Sequence, residues 1–199
     1  MRHDTEDGGG GPAVLNRGER RTGPVGSAGS DAQQQEMFRK MEEAGTPGPA
    51  HKALEALVGS WKAEVKCWHE PGGSPQVSQG TAKARWILNG RFLEEEFHGD
   101  MMGKPFSGIS LMGYDNTKQK FQSLWISDMQ TSMFMSEGKG DAGNKVLTLE
   151  GRTDCPGTGQ KDVLMRSVLR LLSPEKHVFE MYDGSKNNAK TMEITYTRS

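Results

Sequence analysis

Three consecutive carboxylates, Glu94, Glu95 and Glu96, follow an Asn89-Gly90 pair in the segment RWILNGRFLEEEF, residues 85–97. A β-strand sends successive side chains to opposite faces, so three acids in a row cannot all reach water if one face packs on a core. Asn-Gly is the strongest short hairpin signal, because a type I′ turn needs positive φ at both central residues. A two-residue turn there sets Leu88 opposite Arg91, Ile87 opposite Phe92, Trp86 opposite Leu93, Arg85 opposite Glu94, Ala84 opposite Glu95, Lys83 opposite Glu96 and Ala82 opposite Phe97. One face then carries the opposite-charge pairs Arg85–Glu94 and Lys83–Glu96, which suit solvent, beside Ile87 and Phe92. The other carries Ala82, Ala84, Trp86, Leu93 and Phe97 around Glu95, which makes Glu95 the inward acid. A bulge in this strand would turn Glu94, Glu96 and His98 inward instead.

A carboxylate taken out of water must find hydrogen-bond partners or take up a proton. Three uses are open to Glu95. It forms an internal ion pair with a strand arginine, Arg166 or Arg170; it anchors a ligand in a cavity; or, with a titratable partner in reach, it moves a proton on a bound carbonyl or acid. Other patterns carry less. Gly138-x-Gly140-x-x-Gly143 precedes a strand rather than a helix, so it reads as a hairpin loop and not a dinucleotide site. GISLMG has Met112 where a nucleophile elbow needs its last glycine. His69, His98, Asp100 and His177 are scattered, so neither a metal nor a haem site is expected, and no cofactor is assigned. The twelve methionines, Met101, Met102, Met112, Met129, Met133 and Met135 among them, suit either a core or an adaptable ligand wall.

The elements that must position these residues are short. Residues 1–32 are rich in Gly and Arg and poor in large apolar side chains, so a disordered tail is expected. Residues 33–58 read as a helical lead-in: DAQQQEMFRKMEEAG, capped by Asp31 and stopped by Gly45, and then His51, Leu54, Leu57 and Val58 at helical spacing before Gly59. From residue 59 to 199 the period becomes two. Alternating runs fall at 60–69, 78–88, 91–99, 105–114, 119–128, 131–138, 144–153, 162–173, 176–183 and 189–198, with turn residues between them. A meander of about ten strands closes most simply into an all-β antiparallel barrel, because closure removes the exposed edges; a two-sheet sandwich is the alternative. A net charge of −1 gives no reason to expect nucleic acid. No apolar run approaches the ~20 residues that span a bilayer. Two cysteines, Cys67 and Cys155, too far apart for a C-x-x-C motif, fit a cytoplasmic setting.

Gly59-Ser60-Trp61, opening the first strand after a short helix, resembles the G-x-W signature of lipocalins and related calycin barrels. In those barrels the tryptophan closes one end against an arginine of the last strand, a place that Arg198 in MEITYTRS takes here. The segments LVGSW, LNGRFLEEEFHGDMMGKPFSGISLMGYDNTKQKF, LWISDM, SEGKGD and HVFEMYDG with KTMEITYTR resemble the family known as domain of unknown function 1579, across nearly all of residues 50–199. That resemblance implies a calycin-like barrel and no particular activity. The resulting expectation is a barrel that binds a small hydrophobic or amphipathic molecule through Glu95, Trp86, Tyr114, Trp125, Met133, Arg166 and Tyr196, with Trp61 and Arg198 structural. The alternatives are an enzyme using a buried Glu with Arg or Tyr, and a filled structural or interaction domain.

Overall fold

The structure, a computed structural model, describes residues 28–199, with side chains from residue 29. Most of the expected tail therefore lies outside the described residues. The first helix, α1 (Ala28–Gly45), begins earlier than the sequence suggested, so Asp31 sits in its first turn rather than at its cap. The described residues fall into two units, the first ending at Arg39 and the second Lys40–Ser199. In the first, the described helical residues are exposed, and Arg39 pairs with Glu36 one turn before it.

The second unit is a closed barrel of ten antiparallel strands, each paired with its sequence neighbours and the last with the first. They are β1 (Gly59–Cys67), β2 (Gln76–Ile87), β3 (Phe92–Met101), β4 (Lys104–Asp115), β5 (Lys120–Ser127), β6 (Phe134–Gly140), β7 (Val146–Thr153), β8 (Val163–Ser173), β9 (Lys176–Asp183) and β10 (Ala189–Arg198). Alternation along every strand puts one row of side chains into the lumen and the next outside.

One end is plugged. Pro49 starts a short helix, α2 (Pro49–Ala53), which runs into a 3-10 turn (Leu54–Leu57). Leu54 and Leu57 are buried against Ala84, Leu93, Phe121, Leu147, Leu149 and Leu169. Asn116, between β4 and β5, donates to the carbonyls of Ala44 and Thr46 and ties those residues to the same end. Trp61 fills the space beside the plug, donating from Nε1 to the Leu57 carbonyl at 2.8 Å. Arg198, opposite it in register, lays its guanidinium 4.3 Å above the indole. The same guanidinium donates to the carbonyls of Val58 and Pro174. Gly59 has φ +134°, and Arg198 Nη1 occupies the place a Cβ would take. The glycine of Gly-x-Trp thus leaves room for the arginine that covers the tryptophan.

The β2–β3 hairpin has the expected register, from Ile87 opposite Phe92 to Ala82 opposite Phe97. Its loop is wider than a two-residue turn. Leu88, Asn89 and Gly90 all have positive φ, and pairing starts only at Ile87 and Phe92. A loop widened symmetrically about Asn89-Gly90 leaves the register unchanged, and so Glu95 stays on the inner face.

Candidate functional site

Two apolar clusters occupy the lumen at different heights. The lower one lies on the plug. The upper one joins Trp61, Ala63, Ala82, Phe97, Ile194 and Tyr196, with Phe106, Trp125 and Met192 against it. On β3 the inner row runs Leu93, Glu95, Phe97, so Glu95 lies between the clusters. The neighbouring strands do the same: Ser110 pairs with Glu95 between Met112 and Phe106 on β4, and Ser123 lies between Phe121 and Trp125 on β5. Ser136 on β6 pairs with Ser123 and continues the inner row. A carboxylate and a band of small hydroxyls thus separate two apolar layers.

Large rings lie along the wall here. The Trp125 ring occupies the space a side chain at Gly108 would need. Phe106 bridges Phe97 and Trp125, with centroids 6.0 and 6.2 Å away. Glu95 is enclosed by protein, yet it keeps part of its accessible surface, as do Ser110, Met112, Ser123 and Trp125. Their side chains lie on the inner rows of β3, β4 and β5.

The partner of Glu95 comes from across the barrel. Tyr196 of β10 donates its hydroxyl to Glu95 Oε1 at 3.4 Å. Ala63, Gly80, Ala82 and Ala84 on the intervening strands are small enough for the phenol to reach. Behind Tyr196, His177 stacks on its ring at 4.3 Å and 15°, and meets Trp61 edge-on at 4.4 Å. Loss of solvation pushes the Glu95 carboxyl up to about 7, moderated by the Tyr196 hydroxyl. Burial and the adjoining carboxylate hold the Tyr196 phenol well above its ordinary value. Burial and the Arg198 charge push His177 down to about 3, so the imidazole is neutral, and its Nδ1 is buried without a hydrogen-bond partner.

The sequence-derived site residues separate into groups. Glu95, Tyr196 and Trp125 lie at or above mid-height. Trp86 and Tyr114 face inward but belong to the plugged end. Trp86 donates to Glu55 of the 3-10 turn at 2.6 Å, and Tyr114 packs on Phe121 and His51. Met133 is 68 % exposed in the loop before β6, so it lines no cavity. Arg166 is on the outer face, opposite Glu150 and Tyr182, with its guanidinium stacked 4.2 Å over the Tyr182 ring. Arg170 is also outside, paired with Glu180. Neither arginine is the partner of Glu95, because each alternates with inward residues of β8. Glu94 pairs with Arg85 on the outer face, and Glu96 stands there opposite Lys83. The sequence offers His177 only as one of several scattered candidate ligands; its place opposite Tyr196 follows a register shift between Lys190 and Met192, which the sequence does not signal.

Among the described residues, no helix is long and apolar enough to cross a membrane. No curated protein sequence matches the chain. Among solved structures, Rv2717c from M. tuberculosis is similar, with a TM-score of 0.55 and 16 % identity over 77 % of this chain and 99 % of that one. A redesigned beta barrel, mFAP1, bound to DFHBI, matches with a TM-score of 0.39 and 15 % identity over 73 % of this chain and 98 % of that one. At these identities the likeness to Rv2717c concerns the fold alone. The family model described as protein of unknown function (DUF1579) matches residues 46–198, and the chain belongs to that family.

Proposed function

We propose that the barrel is a binding module that holds a small apolar or amphipathic molecule in its lumen. Trp125, Phe97 and Phe106 form the wall, and Glu95 with Tyr196 forms the polar anchor. The observation that carries this reading is the surface left to inward side chains at mid-height: a barrel filled by its own side chains would leave Glu95, Ser110, Ser123 and Trp125 none. Ligand sites are mostly apolar with a few convergent polar groups, and this lumen has that composition. The free thiols of Cys67 and Cys155 fit a reducing compartment, and a cytoplasmic setting belongs to the same proposal.

One observation favours a second reading. Glu95 is poised near neutrality and touches another titratable group, as a general acid or base requires. Binding remains the better account, because the one titratable group bonded to Glu95 is Tyr196, and His177 stacks on that ring with its Nδ1 unpartnered rather than continuing a hydrogen-bonded chain. Native mass spectrometry of freshly expressed protein tests the proposal. The expected result is a co-purified small molecule, or saturable quenching of tryptophan emission by Nile red in the protein stripped of it. Neither result would leave the filled barrel as the surviving account.

A further inference from the structure

The inner face of the barrel carries charge of one sign at mid-height, and this bears on what it binds; the inference rests on the ligand-binding reading above. Glu95 has one hydrogen bond, from Tyr196 to Oε1. Its Oε2 has none, yet it is absent from the buried orphaned atoms among the described residues, so it opens onto the lumen. The strand cations that could neutralise it face away: Arg85 pairs with Glu94, and Arg170 and Lys190 pair with Glu180. Arg198 points inward, but it is held at the plugged end by Val58, Pro174 and the Trp61 ring. The groups packed around Glu95 are Ala84 from β2, Ser110 from β4 and Tyr196 from β10, with His177 of β9 behind the phenol. None of them is a cation at neutral pH.

An anionic head group such as a fatty acid carboxylate would meet an acid here and no counter-charge. A protonated amine would meet a carboxylate oxygen that lacks a donor, and the π faces of the aromatic wall also attract cations. We propose that the lumen selects cationic amphiphiles: an apolar body bearing a protonated amine, whose N–H donates to Glu95 Oε2.

The test uses the full chain and three probes of equal chain length, dodecylamine, dodecanol and dodecanoate, each competing with Nile red below its micellar concentration. At about pH 8 the amine is expected to bind more tightly than the alcohol by about ten- to a hundredfold, the range a charge-assisted hydrogen bond supplies. The carboxyl, titrating at about 7, must be ionised to pair. The amine's affinity should therefore rise by up to about a hundredfold between about pH 5 and about pH 8, while an alkylammonium stays protonated throughout. Glu95→Gln should narrow the amine-to-alcohol gap to within about threefold. A preference for dodecanoate, equal binding of amine and alcohol in the wild type, or an unchanged gap in Glu95→Gln would overturn the proposal. Failure of all three probes and of Nile red to bind would instead overturn the ligand-binding reading beneath it. The wild-type comparison stands even if the variant does not fold.

Discussion

Replacing Glu95 by glutamine should remove one pH dependence of stability, and the structure sets its size. Burial moves the carboxyl from an ordinary 4.5 to about 7. Between those values the native state keeps a proton that the unfolded chain has released. Stability therefore falls as pH rises through that window, and the loss is complete above about pH 7. At ~1.36 kcal/mol per pH unit the loss is at most about 3 kcal/mol. The amide that replaces the carboxyl has no proton to lose. The stability of Glu95→Gln minus that of wild type should grow by about 3 kcal/mol between about pH 4.5 and about pH 7.5, a Tm divergence of about 6–12 °C for a domain of this size. Urea melts and thermal melts of both proteins across the window measure it, and the contributions of other groups cancel in the difference. A structural ion pair would do the opposite: removing the acid would strand a buried guanidinium and cost about 3–5 kcal/mol at neutral pH. Parallel stability curves would refute the placement of Glu95 in a desolvated lumen, and a large loss at neutral pH would show that an arginine reaches it after all.

His177 titrates in the other direction. Burial takes its imidazole from 6.5 to about 3, so its contribution is full above about pH 6.5 and is lost as pH falls towards 3, up to about 5 kcal/mol. His177→Phe should flatten the acid limb seen by circular dichroism, and an unchanged limb would count against the buried neutral imidazole. Gly59→Ala should lower stability by about 1–3 kcal/mol, because it needs an unfavourable φ and displaces Arg198 from the Trp61 ring; a thermal melt within error of wild type would refute the clasp. Arg166→Ala should change stability by less than about 1 kcal/mol and leave Nile red binding unchanged, because Arg166 stacks on Tyr182 outside the barrel. Weakened binding in that variant would put the arginine back in the site.

The inward turn of Glu95 was legible because a hairpin register depends only on where the turn is centred, and symmetric widening to include Leu88 and Arg91 did not move the centre. The strands were legible because period two, cut by Gly, Asn and Asp, survives in a barrel whose outer face is polar. The partner of Glu95 was not legible. Tyr196 reaches it only because the barrel closes β10 onto β1, a contact between residues 101 apart in sequence. His177 was hidden for a local reason: the β9–β10 pairing shifts register between Lys190 and Met192, so counting from the turn gives the wrong partner. Arg166 was misplaced because Val168, on the outer row, is as buried as inner-row Leu169, which blurs the alternation of β8. Met133 was misplaced because methionine content alone does not distinguish lumen from rim.

The two ends of the lumen treat charge differently. At the plugged end Arg198 is satisfied: carbonyls of Val58 and Pro174 accept from it, an aromatic face lies under it, and a glycine makes room for it. At mid-height Glu95 Oε2 lacks a donor, and beside Trp61 the buried His177 Nδ1 also lacks a partner; burial disfavours the charged form of both side chains. Between about pH 4.5 and 6.5 their effects on stability oppose each other, since Glu95 loses what His177 gains as pH rises. Apolar residues of similar shape would remove both costs, as replacing buried charges often does. Arg198 shows that this fold can satisfy a part-buried charge a few residues away. The open Glu95 Oε2 on the inner face is therefore what the proposed binding site would require, because a bound ligand would supply the donor that it lacks.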